Sequence, residues 1–523
     1  MTDPLYQQTL TGVFRHAIPE MILLGTACIV LLLGSVVNRR WLWFVVSLLG
    51  VIAALIVAGT LRPQPPELLT VSPLIPDAAA AFVRWVALIA LAVLLFVAWG
   101  ETDRSNAAEY YGCLLITGAG VSLVGRANDL VTLFLALELL SIPTYVLLYL
   151  PARDLRNQEA ATKYFLLSVM SSAVVLFGFS YLYGLTGSVN LTMIAEAITQ
   201  AHTTADRPNP MAMLAAVMVL AGLGFRLTAV PFHFYAPDVY EGGPPGVIAQ
   251  LAFLPKLAGF IALARILGLL GSDPQSIPFP PDTQLPLLLW AMAILTMSVG
   301  NVLALLQDNV RRMLAYSSVA HGGYMLMGVV VASSLPDATT TLDVVGLEAL
   351  FVYLVAYGMM TIGVFALVVF LSTPERPVQA IDDLAGLSQT HPVTAALMAI
   401  FFFSLIGLPL TAGFAGKLSV FMGALNAPAP TAAMGNLYQV MAIVAAINAA
   451  IGAYYYLRVV GVMYLRTALH PLQGSRAIPT FLAALALAGG TLVFGVYPDP
   501  LAKAARNATP ASAAVGKSGS SSR

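Results

Sequence analysis

Charged side chains are scarce in this chain. Aspartate, glutamate, lysine and arginine make up 10% of its 523 residues, against about 25% in soluble domains. Hydrophobic residues make up 59%, and the mean hydropathy is +0.84. The formal net charge is zero, whereas a nucleic-acid partner requires a basic patch. The composition is typical of a membrane protein whose surroundings are the lipid bilayer, and it argues against a nucleic-acid partner.

Motifs for nucleotides, metals and redox centres are also absent. The sequence holds no Walker loop, no GxGxxG after a strand, no CxxC and no HExxH. Its two cysteines, Cys28 and Cys113, lie in apolar runs and form neither a disulfide framework nor a metal-ligand spacing. We therefore predict no cofactor and no metal in this chain, so any transport must be driven by a gradient or by partner subunits.

Long apolar runs dominate the sequence instead. About fourteen of them are near 20 residues, enough for a helix to cross roughly 30 Å of hydrocarbon. Strand-like alternation is absent, and exposed backbone is not tolerated in lipid. The prediction is an all-α polytopic membrane protein with about 14 transmembrane helices. The longest connections, 62–78 and 187–210, are predicted to be surface loops or lateral turns, and 501–523 a disordered tail.

Arginine is unevenly distributed between the predicted loops. Most loop arginines, including Arg39, Arg40, Arg311 and Arg312, fall in odd-numbered connections. Because positive residues favour the cytoplasmic side, both termini are predicted to lie outside, in a bacterial inner membrane. Lys503 and Arg506 near the C-terminus run against this orientation.

Two of the spans are interrupted by proline and glycine. The seventh reads GFRLTAVPFH at 224–233, and the twelfth reads GLPLTAGFAGK at 407–417. Proline removes a helical hydrogen bond and clashes with the preceding turn. Breaks at matching places in two halves are typical of transporters built from inverted repeats, with ion sites at the breaks. A simple kink in a packed helix is the alternative interpretation.

Five ionisable residues lie within spans: Glu138, Lys163, Arg226, Lys256 and Lys417. Glu138 and Lys256 are each about ten residues from a span end, and Lys417 follows the second break. A charge at the bilayer centre costs several kcal/mol unless it pairs or has a function. Burial lowers the pKa of a lysine and raises that of a carboxylate, so we predict a proton path through these groups. A fixed structural ion pair is the alternative for Glu138, and snorkelling towards the surface is the alternative for Lys256.

Other candidates have stronger alternatives. Lys163 follows a polar loop, and its ammonium could instead reach the cytoplasmic surface. His233 and His321 have a suitable intrinsic pKa for a relay. A buried histidine that is satisfied by a carbonyl group is an equally good interpretation for each of them.

Several of these stretches together resemble a known family. They are LALELLS at 135–141, ATKY at 161–164, GFR at 224–226 with VPFH at 230–233, PDVYEG at 237–242, YSSVAHGGY at 316–324 and GLPLTAGFAGK at 407–417. Their combination resembles the antiporter-like membrane subunits of the proton-pumping NADH–quinone oxidoreductase, respiratory complex I. Within that family the resemblance is greatest to the N branch, and it covers roughly residues 100–465.

The resemblance implies a domain organisation and a set of partners. It implies three N-terminal helices in 1–110, a first five-helix repeat in 111–270 (helices 4–8), an inverted second repeat in 285–465 (helices 9–13) and a fourteenth helix in 477–497. It also implies other complex I membrane subunits as partners, both antiporter-like and small ones. NADH, FMN, iron–sulfur clusters and quinone would be used in other subunits of the complex.

Residue roles are implied in the same way. Glu138 would pair with the basic residue of the seventh span, Lys256 would be the central relay and Lys417 the terminal one. The family usually has lysine in the seventh span, whereas this chain has Arg226. Because arginine does not release its proton at physiological pH, Arg226 is expected to be a fixed counter-ion of Glu138.

Two other functions remain open. A subunit of a multi-component cation/proton antiporter would have nearly the same membrane core. A membrane scaffold whose buried charges only hold helices together would need no relay, so that neutral Lys256 and Lys417 variants would pump normally.

Overall fold

The computed structural model describes residues 4–63, 72–150, 155–205, 209–270, 279, 284–333, 345–373, 376–427, 431–467, 472 and 477–509. These residues form α-helices joined by short connections. The first half contains α1 (Pro4–Gly34), α2 (Arg40–Thr60), α3 (Ala78–Ala98), α4 (Ala107–Arg126), α5 (Leu130–Tyr149), α6 (Leu155–Thr186), α7 (Leu191–Ala205), α8 (Pro210–Leu227), α9 (Ala236–Gly242) and α10 (Pro245–Ile266).

The second half has the same kind of construction. It contains α11 (Leu285–Leu305), α12 (Val310–Ser333), α13 (Val345–Leu371), a 3₁₀ helix (Ile381–Leu384), α14 (Leu387–Thr390), α15 (Pro392–Ile406), α16 (Ala412–Asn426), α17 (Ala432–Leu465), α18 (Ile478–Val496) and α19 (Asp499–Asn507).

Fourteen membrane crossings result. Thirteen described helices are long and apolar enough to span a bilayer on their own. Helices α15 and α16 hold 15 residues each, so each crosses only part of the hydrocarbon and the two together make one crossing. The prediction of an all-α polytopic membrane protein with about 14 transmembrane helices is therefore confirmed.

The connections contain helices that the sequence did not predict. The supposed loop at 187–210 contains α7, which buries Ile194 and Ile198. The predicted disorder from residue 501 is wrong for 501–507, because α19 continues there and buries Leu501 and Ala505. Residues 510–523 of that predicted tail lie outside the described residues.

Two isolated β-bridges occur at equivalent positions, one in each half of the bundle. Asp129, just before α5, pairs with Asn190 after α6, and Asn309, just before α12, pairs with Ala380 after α13. Since α5 and α12 begin at opposite ends of the bundle, the two bridges lie on opposite sides of the membrane. This arrangement is the one expected of an inverted duplication.

The centre of the bundle is formed by α10, α12 and α13. All residues of α10 from Gly246 to Ile266 are buried, as are nearly all of α12. Lys256 lies eleven residues after the start of the 22-residue α10, and therefore about halfway across the bilayer.

Candidate functional site in the membrane interior

The Glu138 carboxylate on α5 pairs with the Arg226 guanidinium on α8. Nη2 of Arg226 lies 3.2 Å from Oε1 of Glu138 and 3.2 Å from Oγ of Ser172. The Ser172 hydroxyl donates to the same carboxylate oxygen, and Nη1 of Arg226 donates to Oγ of Ser141. The Arg226 side chain is 3% exposed and that of Glu138 20%. The charge of each is thus compensated within the bundle, as an intramembrane charge requires.

Arg226 owes its position to the end of α8. The helix ends at Leu227 because Thr228 adopts a left-handed conformation with φ of 55°. The Thr228 and Ala229 amides donate back to carbonyl groups of the last turn of α8, as in common helix C-caps. The half-helix therefore ends inside the membrane with an arginine in its last turn, where the helix dipole favours a positive charge.

Lys256 is fully enclosed at the centre of the bundle. Its ammonium group donates to the backbone carbonyl of Ser318 on α12 and lies 5.2 Å from the centre of the Tyr357 ring on α13. The hydroxyl of Ser318 in turn bonds to those of Tyr240, at 3.1 Å, and Tyr357, at 2.8 Å. Among the described residues no carboxylate pairs with this lysine.

His321 lies one turn further along α12 and joins two tyrosines. Its Nδ1 lies 2.7 Å from the Tyr353 hydroxyl, and its Nε2 lies 3.1 Å from the Tyr456 hydroxyl. Tyr456 is also hydrogen-bonded to Ser317. A tyrosine hydroxyl can both donate and accept, so His321 lies within a hydrogen-bonded row that runs from α13 to α17.

Lys417 lies at the second break. Its ammonium group donates to the carbonyls of Leu405, at 2.9 Å, and Ile406, at 2.8 Å, which are the last carbonyls of α15. Gly407 ends α15 with φ of 89°, and a Cβ there would lie 2.9 Å from Cδ of Lys417. Glycine is thus required by both conformation and space. The Tyr324 ring, 5.1 Å away, forms the other side of the site.

The groups form a row across the interior of the bundle. Glu138 and Arg226 stand at one end, Lys256 and His321 at the centre, and Lys417 at the other end. No hydrogen bond joins Arg226 to Lys256 among the described residues. Gly322 on α12 lies between their helices, and a Cβ there would be 3.0 Å from the Leu227 carbonyl and 3.7 Å from the Lys256 ammonium. Chemically, such a row can hold and pass protons.

Two candidates lie away from this row. The Lys163 side chain is 40% exposed and pairs with Glu159, at 2.6 Å, and Asp238, at 2.7 Å. His233 follows the break after α8 and is partly exposed, and its Nδ1 has no hydrogen-bond partner among the described residues. The structure therefore does not bring either of them into the central row.

The sequence did not indicate most of the polar side chains that line the row. Ser141, Ser172, Ser318, Tyr353 and Tyr456 carry these bonds, but hydroxyl groups occur throughout apolar helices and their partners are 32 to 139 residues away. A usable signal was the YSSVAH stretch, since it places two hydroxyls and a histidine on successive turns of one helix.

A second buried ionic cluster was missed altogether. Glu20 on α1 accepts from Nε of Arg84, at 2.9 Å, from Nη1 of Arg126, at 3.5 Å, and from the Ser122 hydroxyl. All four side chains are buried. The carboxylate and the two guanidinium groups come from three different helices near one end of the bundle. Each lies close to the end of a span, where charged residues are common, so nothing in the sequence singled it out.

Metal-ligating residues do not cluster in the part of the chain that the structure describes. It contains no group of three or more histidine, cysteine, aspartate or glutamate side chains able to hold a metal ion.

Comparison with known proteins identifies the family. Residues 127–435 match the family model described as NADH:quinone oxidoreductase/Mrp antiporter, TM. NADH-quinone oxidoreductase subunit N of Trichlorobacter lovleyi is 38% identical over 83% of both chains, and that of Desulfovibrio desulfuricans is 37% identical over 96% of this chain and 98% of its own. The chain belongs to the NADH-quinone oxidoreductase subunit N family.

Solved structures agree with this family. A chain of respiratory complex I from Thermus thermophilus with bound aureothin has a TM-score of 0.74 and 29% identity to this member of the subunit N family, covering 93% of this chain and 98% of that one. A chain of the Mrp complex from Dietzia has a TM-score of 0.76 at 21% identity, covering 94% and 96%. That second likeness shows a shared fold alone.

Proposed function

We propose that this chain is the proton-translocating subunit N in the membrane arm of NADH–quinone oxidoreductase, and that protons pass along the row from Glu138 to Lys417. The observation that carries the proposal is the row of buried ionisable and hydroxyl groups on the broken-helix fold of the subunit N family. The partners are the other membrane subunits of the complex. Transfer of electrons from NADH to quinone occurs in other subunits, so this chain needs no redox cofactor.

Each group in the row has a distinct proposed role. Lys256 is the central proton carrier, because its ammonium has only a carbonyl and an aromatic face as neighbours and can be neutral at low cost. Lys417 is the terminal carrier, and His321 with its tyrosines connects the two lysines. Arg226 stays charged and holds Glu138. Lys163 and His233 would act only at the margins of this path.

The sidedness is part of the proposal. The arginine-rich connections lie on the cytoplasmic side of a bacterial inner membrane, and both termini lie outside. The five-helix repeats at 111–270 and 285–465 are related by inversion, an assignment that the two bridges at Asp129 and Asn309 support.

Variants at Lys256 separate a proton carrier from a structural charge. Lys256→Gln can still donate to the Ser318 carbonyl but cannot carry a proton, and Lys256→Arg keeps the charge but does not release it. We expect both to lower proton pumping at least tenfold in reconstituted vesicles, with the complex assembled. The exposed Lys503→Arg is the matched control and should pump normally. Normal pumping by Lys256→Arg would refute the carrier role.

Purification of the tagged chain in mild detergent tests the assignment itself. Recovery of peripheral redox subunits with NADH–quinone activity is the expected result. The fold shared with the Mrp complex makes a cation/proton antiporter the second candidate. Recovery of small membrane partners alone, with sodium-sensitive exchange and no NADH oxidation, would establish that candidate instead.

A further inference from the structure

A deep apolar groove lies outside the proton row, between α3, α13, α18 and α19. Its volume is about 490 Å³, within the range of about 300–1,000 Å³ that is usual for ligand pockets. Its walls are apolar side chains, among them Phe82, Ile89 and Val93 on α3, Met359 on α13 and Phe494 on α18. Such a surface is of the right chemistry for a hydrocarbon chain and offers almost nothing to a polar ligand.

The groove is long enough to hold the hydrocarbon chain of one lipid leaflet. Along α3 its lining extends from Ala78 to Val93, which is about 22 Å at the rise of an α-helix. Half the hydrocarbon thickness of a bilayer is about 15 Å. It begins at the end of the bundle where Pro63 precedes α3 and closes at depth against Phe253 of α10. An acyl chain entering from that end would therefore lie parallel to the helices and end near the middle of the membrane.

The mouth of the groove adjoins a polar recess with excess positive charge. Pro63 and Trp85 line both the groove and this recess, whose other walls include Arg62, Asp77 and Arg84. The recess itself is only about 10 Å³, room for about one water molecule, so a phosphate would lie at its rim. Arg62 is exposed there.

The fixed charges behind the rim favour an anion. Arg84 and Arg126 share the single carboxylate of Glu20, and Arg265 pairs with Asp77 at 2.6 Å. Among the described residues that line the recess or lie directly behind it, the four arginines Arg62, Arg84, Arg126 and Arg265 lie near the two carboxylates of Glu20 and Asp77. Arginine is well suited to phosphate, and Trp85, which is 39% exposed, is of the type that lies at the level of lipid headgroups.

We propose that this groove is a specific binding site for an anionic phospholipid, with one acyl chain between α3, α13 and α18 and the phosphate at Arg62. The chain would pack against Phe253, one turn before Lys256 on the same helix. The proposal does not depend on the proton path, because it rests on the groove and its charged mouth alone.

Photo-crosslinking tests the site in the intact complex. The purified complex is placed in phosphatidylcholine nanodiscs that contain some phosphatidylglycerol with a diazirine on its acyl chain. After illumination, labelled peptides are identified by mass spectrometry. We expect labelling of α3 and α13 residues in the groove at least fivefold above labelling at Ile443, which is 60% exposed on α17 and samples ordinary lipid. The same probe built on phosphatidylcholine should label the groove several-fold less.

Variants at the wall and at the mouth distinguish the two parts of the site. Ala504, exposed on α19, lines the groove, so Ala504→Trp should lower groove labelling at least fivefold. Ala433→Trp, at an exposed position on α17, is the matched control and should change nothing. Arg62→Gln should remove the preference for phosphatidylglycerol, whereas Arg39→Gln, exposed at the other end of α2, should keep it.

Three results would overturn the proposal. Groove labelling no stronger than at Ile443 would mean ordinary boundary lipid. Equal groove labelling by the phosphatidylglycerol and phosphatidylcholine probes in the unaltered complex would refute the preference for an anionic headgroup. No label in the groove, together with label on a peptide of a neighbouring subunit, would show that a protein helix covers the groove.

Discussion

Single residues decide whether the proton row is charged or neutral. Both terminal nitrogens of the Arg226 guanidinium donate hydrogen bonds: Nη1 to Ser141, and Nη2 to Glu138 and Ser172. A lysine has one nitrogen and cannot reach both sides of this cluster. The fixed fork of arginine therefore holds three groups together, and its charge is retained at any physiological pH. We therefore propose that switching at this position occurs through a change in the distance between Arg226 and Glu138 rather than through proton loss from Arg226.

Arg226 variants test this role. Removing one partner of a buried ion pair costs about 3–5 kcal/mol, because the other charge is left uncompensated. We expect Arg226→Gln to lower proton pumping at least tenfold, and Arg226→Lys to retain part of it because it preserves the charge. The double variant Glu138→Gln, Arg226→Gln should recover assembly but not pumping. Pumping in membrane vesicles is the measurement, and a fully active Arg226→Gln variant would contradict the fixed counter-ion.

At the scale of the helices, the two proposed inverted repeats carry different residues at one equivalent position, on α5 in the first repeat and on α12 in the second. Glu138 lies nine residues after Asp129, and Ser318 lies nine residues after Asn309. The second half thus has a serine where the first has its carboxylate, and the Ser318 carbonyl binds Lys256 instead. An uncharged partner stabilises the ammonium less than a carboxylate would, as the proposed role of Lys256 as a proton carrier requires.

The contact of α12 with the end of α8 has no space for a side chain at Gly322. A Cβ at 3.0 Å from the Leu227 carbonyl would push α12 from the break and alter the bond between Lys256 and Ser318. We expect Gly322→Ala to lower pumping several-fold while NADH oxidation in detergent changes little. Gly461 on α17, where a Cβ would meet nothing within 4 Å, provides the control Gly461→Ala. Normal pumping by Gly322→Ala would show that the two helices can separate freely.

Glu101 lies in the connection between α3 and α4, and its carboxyl group binds the first turn of α10. Its carboxyl accepts hydrogen bonds from the Gly246 amide and, at 3.2 Å, from the Tyr110 hydroxyl. Burial raises the pKa of Glu101 to about 7, although both bonds and the nearby Arg311 act in the opposite direction. Because this pKa lies above the ordinary 4.5, folding takes up a proton between these values. The stability contributed by the protonated group is full below pH 4.5 and is lost as the pH rises to about 7.

A glutamine at position 101 removes this titration. We expect the melting temperature of Glu101→Gln, relative to the unaltered complex, to rise between about pH 4.5 and 7 and to level off above that. Thermal unfolding of the detergent-solubilised complex across that range is the measurement. Asp103→Asn, at an exposed carboxylate in the same connection, should give a flat difference. A flat difference for Glu101→Gln as well would mean that Glu101 does not titrate in this range.

At the scale of the whole molecule, hydropathy was enough to predict the number of crossings. Apolar length determines which segments span a membrane, and the proline and glycine residues at 224–233 and 407–417 located both breaks. The connections were less predictable. Helices α7 and α19 are short and amphipathic, and a sequence pattern of this length does not show that the bundle covers their apolar faces. The partners of Ser318 and Tyr456 depend on helix packing, which no local pattern contains.

Chemical labelling tests the proposed orientation of the whole chain. Cys28 and Cys113 are first replaced by serine. A cysteine at position 39, between α1 and α2, should react with a membrane-impermeant maleimide only in inside-out vesicles. A cysteine at position 503, on exposed α19, should react only in right-side-out vesicles or intact spheroplasts. The reverse pattern would place both termini in the cytoplasm.

The position of Lys256 at the midpoint of α10 also has an electrical consequence. A proton that reaches it from either face crosses about half of the membrane potential, worth about 1 kcal/mol per 100 mV. The voltage across an energised membrane thus opposes both the loading of this lysine from the negative face and its release to the positive face, by similar amounts. Its occupancy should therefore respond to voltage as well as to pH. A potassium ionophore, which with potassium on both sides collapses the voltage alone, should change the pH at which pumping is half-maximal.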